Sequence, residues 1–472
     1  MRILYTKDVN TTMISFTGFD KTINNVYKFN QDHVFQYWSD LTDEGKTTLL
    51  KELSMVDFEL MNKLYHQREI KIAYNLEFDP APYIPLPKSK RDIEEFEKAR
   101  EAGIKYIGKG KVAALLVSGG QGTRLGFHGP KGLYPIGPVS DKSLLRIHAE
   151  KILKYSEKYG VSIPWCIMTS LDNHDDTVRY FDENRFFNLN KGDVIFFSQK
   201  MIPSLNSEGK LILKSKNSIF MNPDGHGGTL TALHASGVLD DLDGRGIESI
   251  SYFQVDNPMM RIIDPVFIGF HIINNSDVSS KAVRKLTSTE KVGVFVKFNN
   301  GKLGVVEYSD LSLDKQNAID DDGGLKFCMG SIAIHIFNIS FVKAITSGKT
   351  ISLDYHLAKK KIEAYQMEGN VEIDGFKFEK FIFDSLTLTE KNTILETLRE
   401  DEFAPVKNKS GVDSPETAKE LMSNLFRRWL TSKSCEIPDE TKMIEISPLL
   451  AVEPDDLHDN ITIPPEEKVY LE

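Results

Sequence analysis

Hydrophobic positions along this chain follow two different periods, and the period separates its parts. From Asp32 to about Glu77, Phe35, Trp38, Leu41, Leu49, Leu53, Phe58, Leu60, Met61 and Leu64 recur at threes, fours and sevens among charged residues. That spacing predicts an N-terminal helical layer. Residues 79–89 carry four prolines within nine residues; missing N–H donors and a fixed φ make this stretch an extended strap or linker. A charged helix is expected from Lys90 to Ala102. From residue 111, short apolar runs alternate with amphipathic segments: strands at Val112 to Val117, Pro164 to Thr169 and Val194 to Phe197, helices at Lys142 to Tyr159 and Asp176 to Asn184. Such alternation implies a mainly parallel sheet covered by helices on both faces, with ligands gathering at the carboxyl ends of its strands.

After Ile250 to Val255, strand patterns become more frequent, at Val292 to Phe298, Leu303 to Tyr308, Phe327 to Phe337 and Lys377 to Phe383. A mixed sheet with a substrate lobe is therefore expected. Past residue 408 the chain turns polar, with a loop at NKSGVDSP, a helix from Glu416 to Thr431 and a strand-poor tail. The expected layout is a mainly helical domain over 1–108, a catalytic domain over 109–407 and a small C-terminal domain over 408–472.

Composition narrows the class. With 472 residues the chain exceeds one ordinary core, so two or three domains are expected. A net charge of -10 and a pI near 5.7 argue against a general nucleic-acid surface, because phosphate backbones demand a basic face. Any polyanion must be held by local cations or a metal. The three cysteines, Cys166, Cys328 and Cys435, have no metal-ligand spacing, and Cys166 and Cys328 fall in apolar runs as expected core residues. The first residues lack the apolar stretch of a signal peptide, and no window approaches the roughly 18 apolar residues of a membrane span. A reduced, cytoplasmic protein with no membrane partner is expected.

The segment LLVSGGQGTRLGFHGPKG, residues 115–132, carries the most specific chemistry. An apolar strand delivers a glycine-rich turn, and Arg124 and Lys131 follow. Glycines permit positive φ and let backbone N–H groups approach a ligand closely; guanidinium and ammonium are the usual partners of phosphate. A P-loop is excluded, because Gly122 is followed by Thr-Arg-Leu-Gly. The spacing of Gly120, Gly122 and Gly126 is one residue too long for a dinucleotide fingerprint, although Asp141 lies near the acidic position that reading needs. Asp256 ends the strand SISYFQV, where a carboxylate suits Mg²⁺ shared with phosphate oxygens, or simply caps a turn. MNPDGHGGTLTAL, residues 221–233, places three glycines and His226 before a helix near Thr229, fit for a base edge or a sugar hydroxyl. Lys407 follows a proline turn in REDEFAPVKN. Asp241 with Asp243, and Asp320 with Asp322, form D-x-D pairs, but neither follows an apolar strand, and both are expected in solvated loops.

GGQGTRLGFHGPKG, FFSQKMIP, PDGHGG, VDNPMMRIIDPVFIGF, VEYSD, FEKFIFD and REDEFAPVKN occur in one order, and in that order the chain resembles the eukaryotic-type UDP-N-acetylglucosamine pyrophosphorylases of the UDPGP family. The resemblance spans nearly the whole chain. It implies an α/β fold, a central mixed sheet of the nucleotide-diphospho-sugar transferase (GT-A, Rossmann-like) type between N-terminal helical and small C-terminal domains. It also implies a reversible reaction of UTP with N-acetylglucosamine 1-phosphate, giving UDP-N-acetylglucosamine and pyrophosphate. By the same resemblance Gly119, Gly120 and Gly122 line uridine and phosphates, while Gln199 and the Gly225 backbone read uracil. Arg124 and Lys131 hold the triphosphate, and Asp256 carries Mg²⁺. Gly293 and Glu307 contact the sugar, Lys407 its phosphate, and Phe381 and Phe383 wall the acyl group. Two positions depart from the family pattern: His226 stands where Asn is usual, and Ser331 follows Gly330 where Asn is usual. Both face the sugar in the family, so a broader UDP-sugar or UDP-glucose pyrophosphorylase stays open, as does a non-catalytic nucleotide-sugar-binding protein. Oligomeric state is not legible.

Overall fold

A computed structural model describes residues 13–67, 77–348, 353–366 and 369–472. The expectations for residues 1–12, and for the helical pattern over 68–76, lie outside the described residues. The chain divides into two compact units, each assembled from separate stretches of sequence.

The first unit comprises the described residues of Met1–Tyr74, Met201–Asp224 and Tyr355–Glu379. Helices α1 (Asp20–Lys28), α2 (Asp43–Ser54) and α3 (Phe58–Gln67) supply its helical part. Thr42 caps α2 by accepting the Gly45 N–H at 3.2 Å, satisfying a donor that the first helical turn leaves without a partner. Leu49, Leu50, Leu53 and Met61 are buried with Leu205, Leu211, Phe376 and Phe378. Of these last four, Phe376 and Phe378 come from a hairpin, His356–Gln366 with Gly369–Glu379, and Leu205 from the short strand Leu205–Asn206 paired to it.

The second unit holds Asn75–Lys200, Gly225–Asp354 and Lys380–Glu472. Its ten-stranded sheet is built from β1 (Phe78–Pro80), β2 (Val112–Val117), β3 (Trp165–Thr169), β4 (Val194–Ser198), β5 (Ser249–Gln254), β6 (Val278–Arg284), β7 (Val294–Phe298), β8 (Leu303–Val306), β9 (Met329–Asn338) and β10 (Asn392–Glu396). The path β1–β7–β9–β5–β2–β3–β4 runs across it, with β8 on β7, and with β6 joining β9 to β10. β5, β2, β3 and β4 are mutually parallel, whereas β9 is antiparallel to β5, so the sheet is mixed. Alternate residues of β2 enter different cores: Val112, Ala114 and Leu116 one, Ala113 and Leu115 the other. Burial on both faces explains why β2 reads as a continuous apolar run.

The helices of this unit are α4 (Lys90–Ile107), α5 (Leu144–Tyr159), α6 (His174–Glu183), α7 (Gly228–Ala235), α8 (Val238–Gly244), α9 (Pro265–Ile273), α10 (Leu313–Gln316), α11 (Ile339–Thr346), α12 (Arg399–Glu402) and α13 (Pro415–Ser432). α4 and α9 pack backbone to backbone: a Cβ on Gly103 would lie 1.9 Å from the Pro265 carbonyl oxygen, and one on Gly269 1.7 Å from that of Ala99. Among the described residues, no helix is long and apolar enough to cross a membrane.

Several expectations need correction. The expected boundaries at 108 and 407 do not mark compact units, since α4 packs on α9, and residues 408–472 share a core with α5 and β2. The first unit is completed by two distant segments that sequence proximity does not group. The run Lys377 to Phe383 is not one strand: the strand stops at Glu379, and a 3-10 turn, Ile382–Leu388, follows. The tail pairs Met443–Ile446 with Lys468–Leu471 as parallel strands. Asp241 and Asp243 sit on α8 and pair with Arg245 and Lys343, rather than lying in a loop. Cys166 and Cys435 are buried, but Cys328 is only half-buried.

Candidate active site

The parallel register brings Val117 level with Met168 and Gln254, and Thr169 level with Ser198. The segments after β2, β3, β4 and β5 therefore leave the sheet along one edge. Three of them carry candidate residues: Gly119 to Lys131, Gln199, and Asp256.

The glycine-rich segment is a closed loop rather than a direct strand-to-helix turn. Gly122 N–H donates to the Gly129 carbonyl at 2.9 Å and Lys131 N–H to that of Gly120 at 3.0 Å. The ends of the loop are thus clasped, and Arg124 rides on the 3-10 turn between them, exposed and without an ion pair among the described residues. Gly126 and Gly129 adopt φ of +74° and +133°, conformations that side chains disfavour. At Gly122 a Cβ would approach Phe127 to 2.8 Å. Asn173, which no motif singles out, secures the loop from below. Its Nδ2 donates to Ser118 and Gly120 carbonyls at 2.9 and 3.3 Å, while its Oδ1 accepts from Ser170 N–H at 2.8 Å.

Lys131, which opens the 3-10 turn Lys131–Leu133 where the loop closes, points to Asp256, with Nζ 3.2 Å from Oδ2 and both side chains largely buried. Asp256 in turn accepts the Val406 N–H on its backbone carbonyl at 2.9 Å. Lys407, the next residue, is half-exposed; its Nζ lies 3.8 Å from Asp413 and 5.8 Å from the Phe403 ring centroid. The Val406 bond thus sets the Lys407 segment beside Asp256, while the Lys407 side chain lies by Asp413 and Phe403.

A second cluster surrounds Gln199. Its Nε2 donates to the Gly225 carbonyl at 2.7 Å, and its Oε1 would stand 3.2 Å from a Cβ on Gly119. Gly225 has φ of +84°. Next to it, His226 accepts the Ile382 N–H on Nδ1 at 3.2 Å. That bond leaves Nε2 as the protonated nitrogen of the neutral ring. The imidazole lies 5.5 Å from Phe381 and 5.9 Å from Phe383, whose rings stack at 5.1 Å. Gly227 N–H donates to the Lys380 carbonyl at 2.8 Å, and a Cβ there would meet the Lys380 carbonyl carbon at 2.7 Å. The interruption after Glu379 accompanies this close approach.

A third cluster joins Gly293, Glu307 and Ser331. Ser331 N–H donates to the Gly293 carbonyl at 2.8 Å, and a Cβ on Gly293 would lie 3.3 Å from Glu307 Oε1. On the same strand as Ser331, His335 shares a hydrogen bond between Nδ1 and the Ser280 hydroxyl at 2.8 Å. Burial, with a smaller contribution from neighbouring His226, lowers its pKa to about 3. Among the described residues no group of three or more His, Cys, Asp or Glu side chains has the arrangement of a metal cage.

Known proteins resemble this chain along most of its length. Residues 62–457 match the family model described as UTP--glucose-1-phosphate uridylyltransferase, UDPGP. UDP-N-acetylglucosamine diphosphorylase 2 of Arabidopsis thaliana is 36% identical over 447 residues, 89% of this chain and 87% of the relative. UDP-N-acetylglucosamine pyrophosphorylase of Saccharomyces cerevisiae is 35% identical, covering 89% of this chain and 93% of the relative. The crystal structure of the uridine diphosphate N-acetylglucosamine pyrophosphorylase from Trypanosoma brucei, in complex with inhibitor, aligns with a TM-score of 0.83 at 28% identity over 98% of this chain and 99% of that one. Matched by one family along most of its length, and sharing more than a third of the aligned residues with a curated relative over nearly nine-tenths of its own, the chain belongs to the UDPGP family of nucleotidyltransferases.

Proposed function

We propose that this chain joins UTP to N-acetylglucosamine 1-phosphate, releasing pyrophosphate and forming UDP-N-acetylglucosamine, reversibly. The observation that carries the reading is the Lys131–Asp256 pair at 3.2 Å, set between a clasped glycine loop and the segment of Lys407. The ten-stranded mixed sheet is read as a GT-A type nucleotidyltransferase sheet.

In this reading a sugar-phosphate oxygen attacks the α-phosphorus of UTP in line. The nucleophile is already an anion, so no general base is needed; the work is to bring two anions together and offset charge on the transferring phosphate. Arg124 and Lys131 bind the β- and γ-phosphates that leave, and Lys407 holds the sugar phosphate. Gln199 and the Gly225 backbone address the uracil edge. A lone carboxylate at a strand end fits Mg²⁺, which takes one or two protein carboxylates and completes its shell with phosphate oxygens and water. Asp256 would hold it, and when bound it would neutralise charge on the phosphates.

The sugar site is where this chain differs from its family. With Nδ1 accepting from Ile382, the His226 ring carries a single N–H, whereas Asn carries both a donor and an acceptor in one amide. Release of pyrophosphate from UTP with N-acetylglucosamine, N-acetylgalactosamine and glucose 1-phosphates tests the reading. Highest kcat/KM with N-acetylglucosamine 1-phosphate is expected. Preference for glucose 1-phosphate would favour the UDP-glucose reading, and UDP-sugar binding without turnover of any sugar phosphate would make the protein a binding module.

A further inference from the structure

The segment from Val255 to Met260 carries Asp256 across the edge of the sheet, and it has no regular structure of its own before α9 begins at Pro265. Its carbonyls are largely buried and outside any ladder, so each needs a partner from elsewhere. On one side α12 and the chain after it make the contacts: Asn257 Nδ2 donates to Glu402 O at 2.6 Å, Asn257 Oδ1 accepts from Ala404 N–H at 3.1 Å, and Val406 N–H reaches Asp256 O. On the other side α5 makes them. His148 and Lys151, three residues apart and hence on one helical face, point at the segment. His148 Nε2 lies 3.2 Å from Val255 O, and Lys151 Nζ donates to Pro258 O at 2.6 Å and to Met260 O at 2.9 Å.

Lys151 is an unusual choice for that task. It makes no ion pair among the described residues, and its ammonium is committed to two peptide carbonyls. Burial pulls its pKa down to about 7, which marks the charge as costly to keep there. An apolar residue at this position would avoid the cost of the charge but would leave the Pro258 and Met260 carbonyls without this donor. What the lysine provides instead is direction: two short bonds from one nitrogen fix the backbone two and four residues beyond Asp256.

We propose that Lys151 is a positioning residue for uridylyl transfer, holding the segment after Asp256 so that its carboxylate faces Lys131 and the incoming phosphates. This rests on the role given to Asp256 above. A shift of about 1 Å in a reacting group can cost on the order of 100-fold in rate.

The test compares Lys151→Met, Lys151→Gln and Lys151→Arg with Asp256→Asn in the full chain, measuring kcat, KM for UTP, UTP affinity by calorimetry and the thermal midpoint. Lys151→Met is expected to lose about 10- to 100-fold in kcat with UTP affinity within about twofold, and Lys151→Arg, which keeps a cationic donor, to recover most of it. If Lys151→Met does not fold, Lys151→Gln, whose neutral amide is one atom shorter and would not hold both carbonyls as the ammonium does, carries the same comparison against Lys151→Arg. Wild-type kcat in the folded Met or Gln variant overturns the proposal, as does a loss that follows the folded fraction and is not restored by Arg. Should Asp256→Asn keep wild-type activity, the reading of Asp256 itself fails; should it be inactive while Lys151→Met is fully active, only the positioning role falls.

Discussion

Val406 donates its backbone N–H to the carbonyl of Asp256 at 2.9 Å, so the residue before Lys407 is hydrogen-bonded to the residue that faces Lys131. The backbone that carries Lys407, a lysine that looks like an ordinary surface cation in the sequence, thereby runs beside Asp256. The link is made by main chain alone, and side-chain substitutions at Lys407 leave it intact.

Replacing Lys407 with Ala therefore separates chemistry from stability. Its side chain is half-exposed and its nearest carboxylate is 3.8 Å away, a contact worth well under about 1 kcal/mol in water. The variant should keep its thermal midpoint and lose about 100-fold or more in kcat, by analogy with removal of one transition-state donor. Unchanged turnover of pyrophosphate release would remove Lys407 from the mechanism.

Beneath the same segment lies a charged triad. Lys281, fully buried on β6, donates to Asp264 at 2.6 Å and to both oxygens of Glu402 at 2.5 Å. Asp264 also caps α9 through Val266 N–H at 2.9 Å. Burial by itself would raise the Asp264 pKa, but Lys281 and Arg261 outweigh it and lower it. Lys281→Met leaves two carboxylates facing each other without that cation and should cost about 3–5 kcal/mol. Denaturant titration at neutral pH reads that loss; a cost under about 1 kcal/mol would mean that the pair relaxes to water or shares a proton freely.

How much of this is legible in the sequence depends on the kind of signal each part carries. β2 is legible to the residue, because a strand buried on both faces is an apolar run with sharp ends. Arg124, Lys131 and Asp256 stand out because their motifs are dense in glycine, proline and charge, whereas Lys407 is marked only by the family resemblance. Asn173 and Lys151 do not stand out: each acts on backbone carbonyls, which leave no trace in side-chain patterns. The first unit is only partly legible, since Phe376 and Leu205 join the core of Leu49 and Leu53 from more than 150 positions away. The break after Glu379 does leave a mark: FKFE alternates as a strand should, but the phase slips at Glu379 and Lys380, and Phe381, Ile382 and Phe383 then run on without alternation, where Gly227 approaches Lys380.

That approach makes Gly227 a sharp test of the cluster around His226. Its φ is ordinary, near -73°, so Ala meets no backbone strain; the obstacle is the Lys380 carbonyl carbon 2.7 Å from the new Cβ. Neither side of this contact is a flexible side-chain end, and the two backbones must part. Gly227→Ala should cost about 1–3 kcal/mol in stability, as overpacking does. It should also weaken the Ile382 bond to His226, raising KM for the sugar phosphate more than KM for UTP. Equal effects on both would detach His226, Phe381 and Phe383 from sugar binding.

The pH dependence of stability follows from three histidines enclosed by the fold. Burial lowers the pKa of His148 to about 3, with Lys151 adding to it, of His335 to about 3, and of His271 to about 4. All three are neutral in the folded chain, while in the unfolded chain they titrate near 6.5. Between that value and the folded ones, the unfolded state binds protons that the native state refuses. Their contribution to stability is therefore complete above about pH 6.5 and is lost as pH falls, down to about pH 3–4. From about pH 6 to pH 5, where unfolded carboxylates are still mostly ionised, three such groups remove roughly 3–4 kcal/mol at about 1.4 kcal/mol per proton per pH unit. Calorimetric unfolding at about pH 5.5 in buffers of different ionisation enthalpy should register an uptake of roughly two to three protons; an uptake below about one would show that these rings are already charged, or reach solvent, in the native protein.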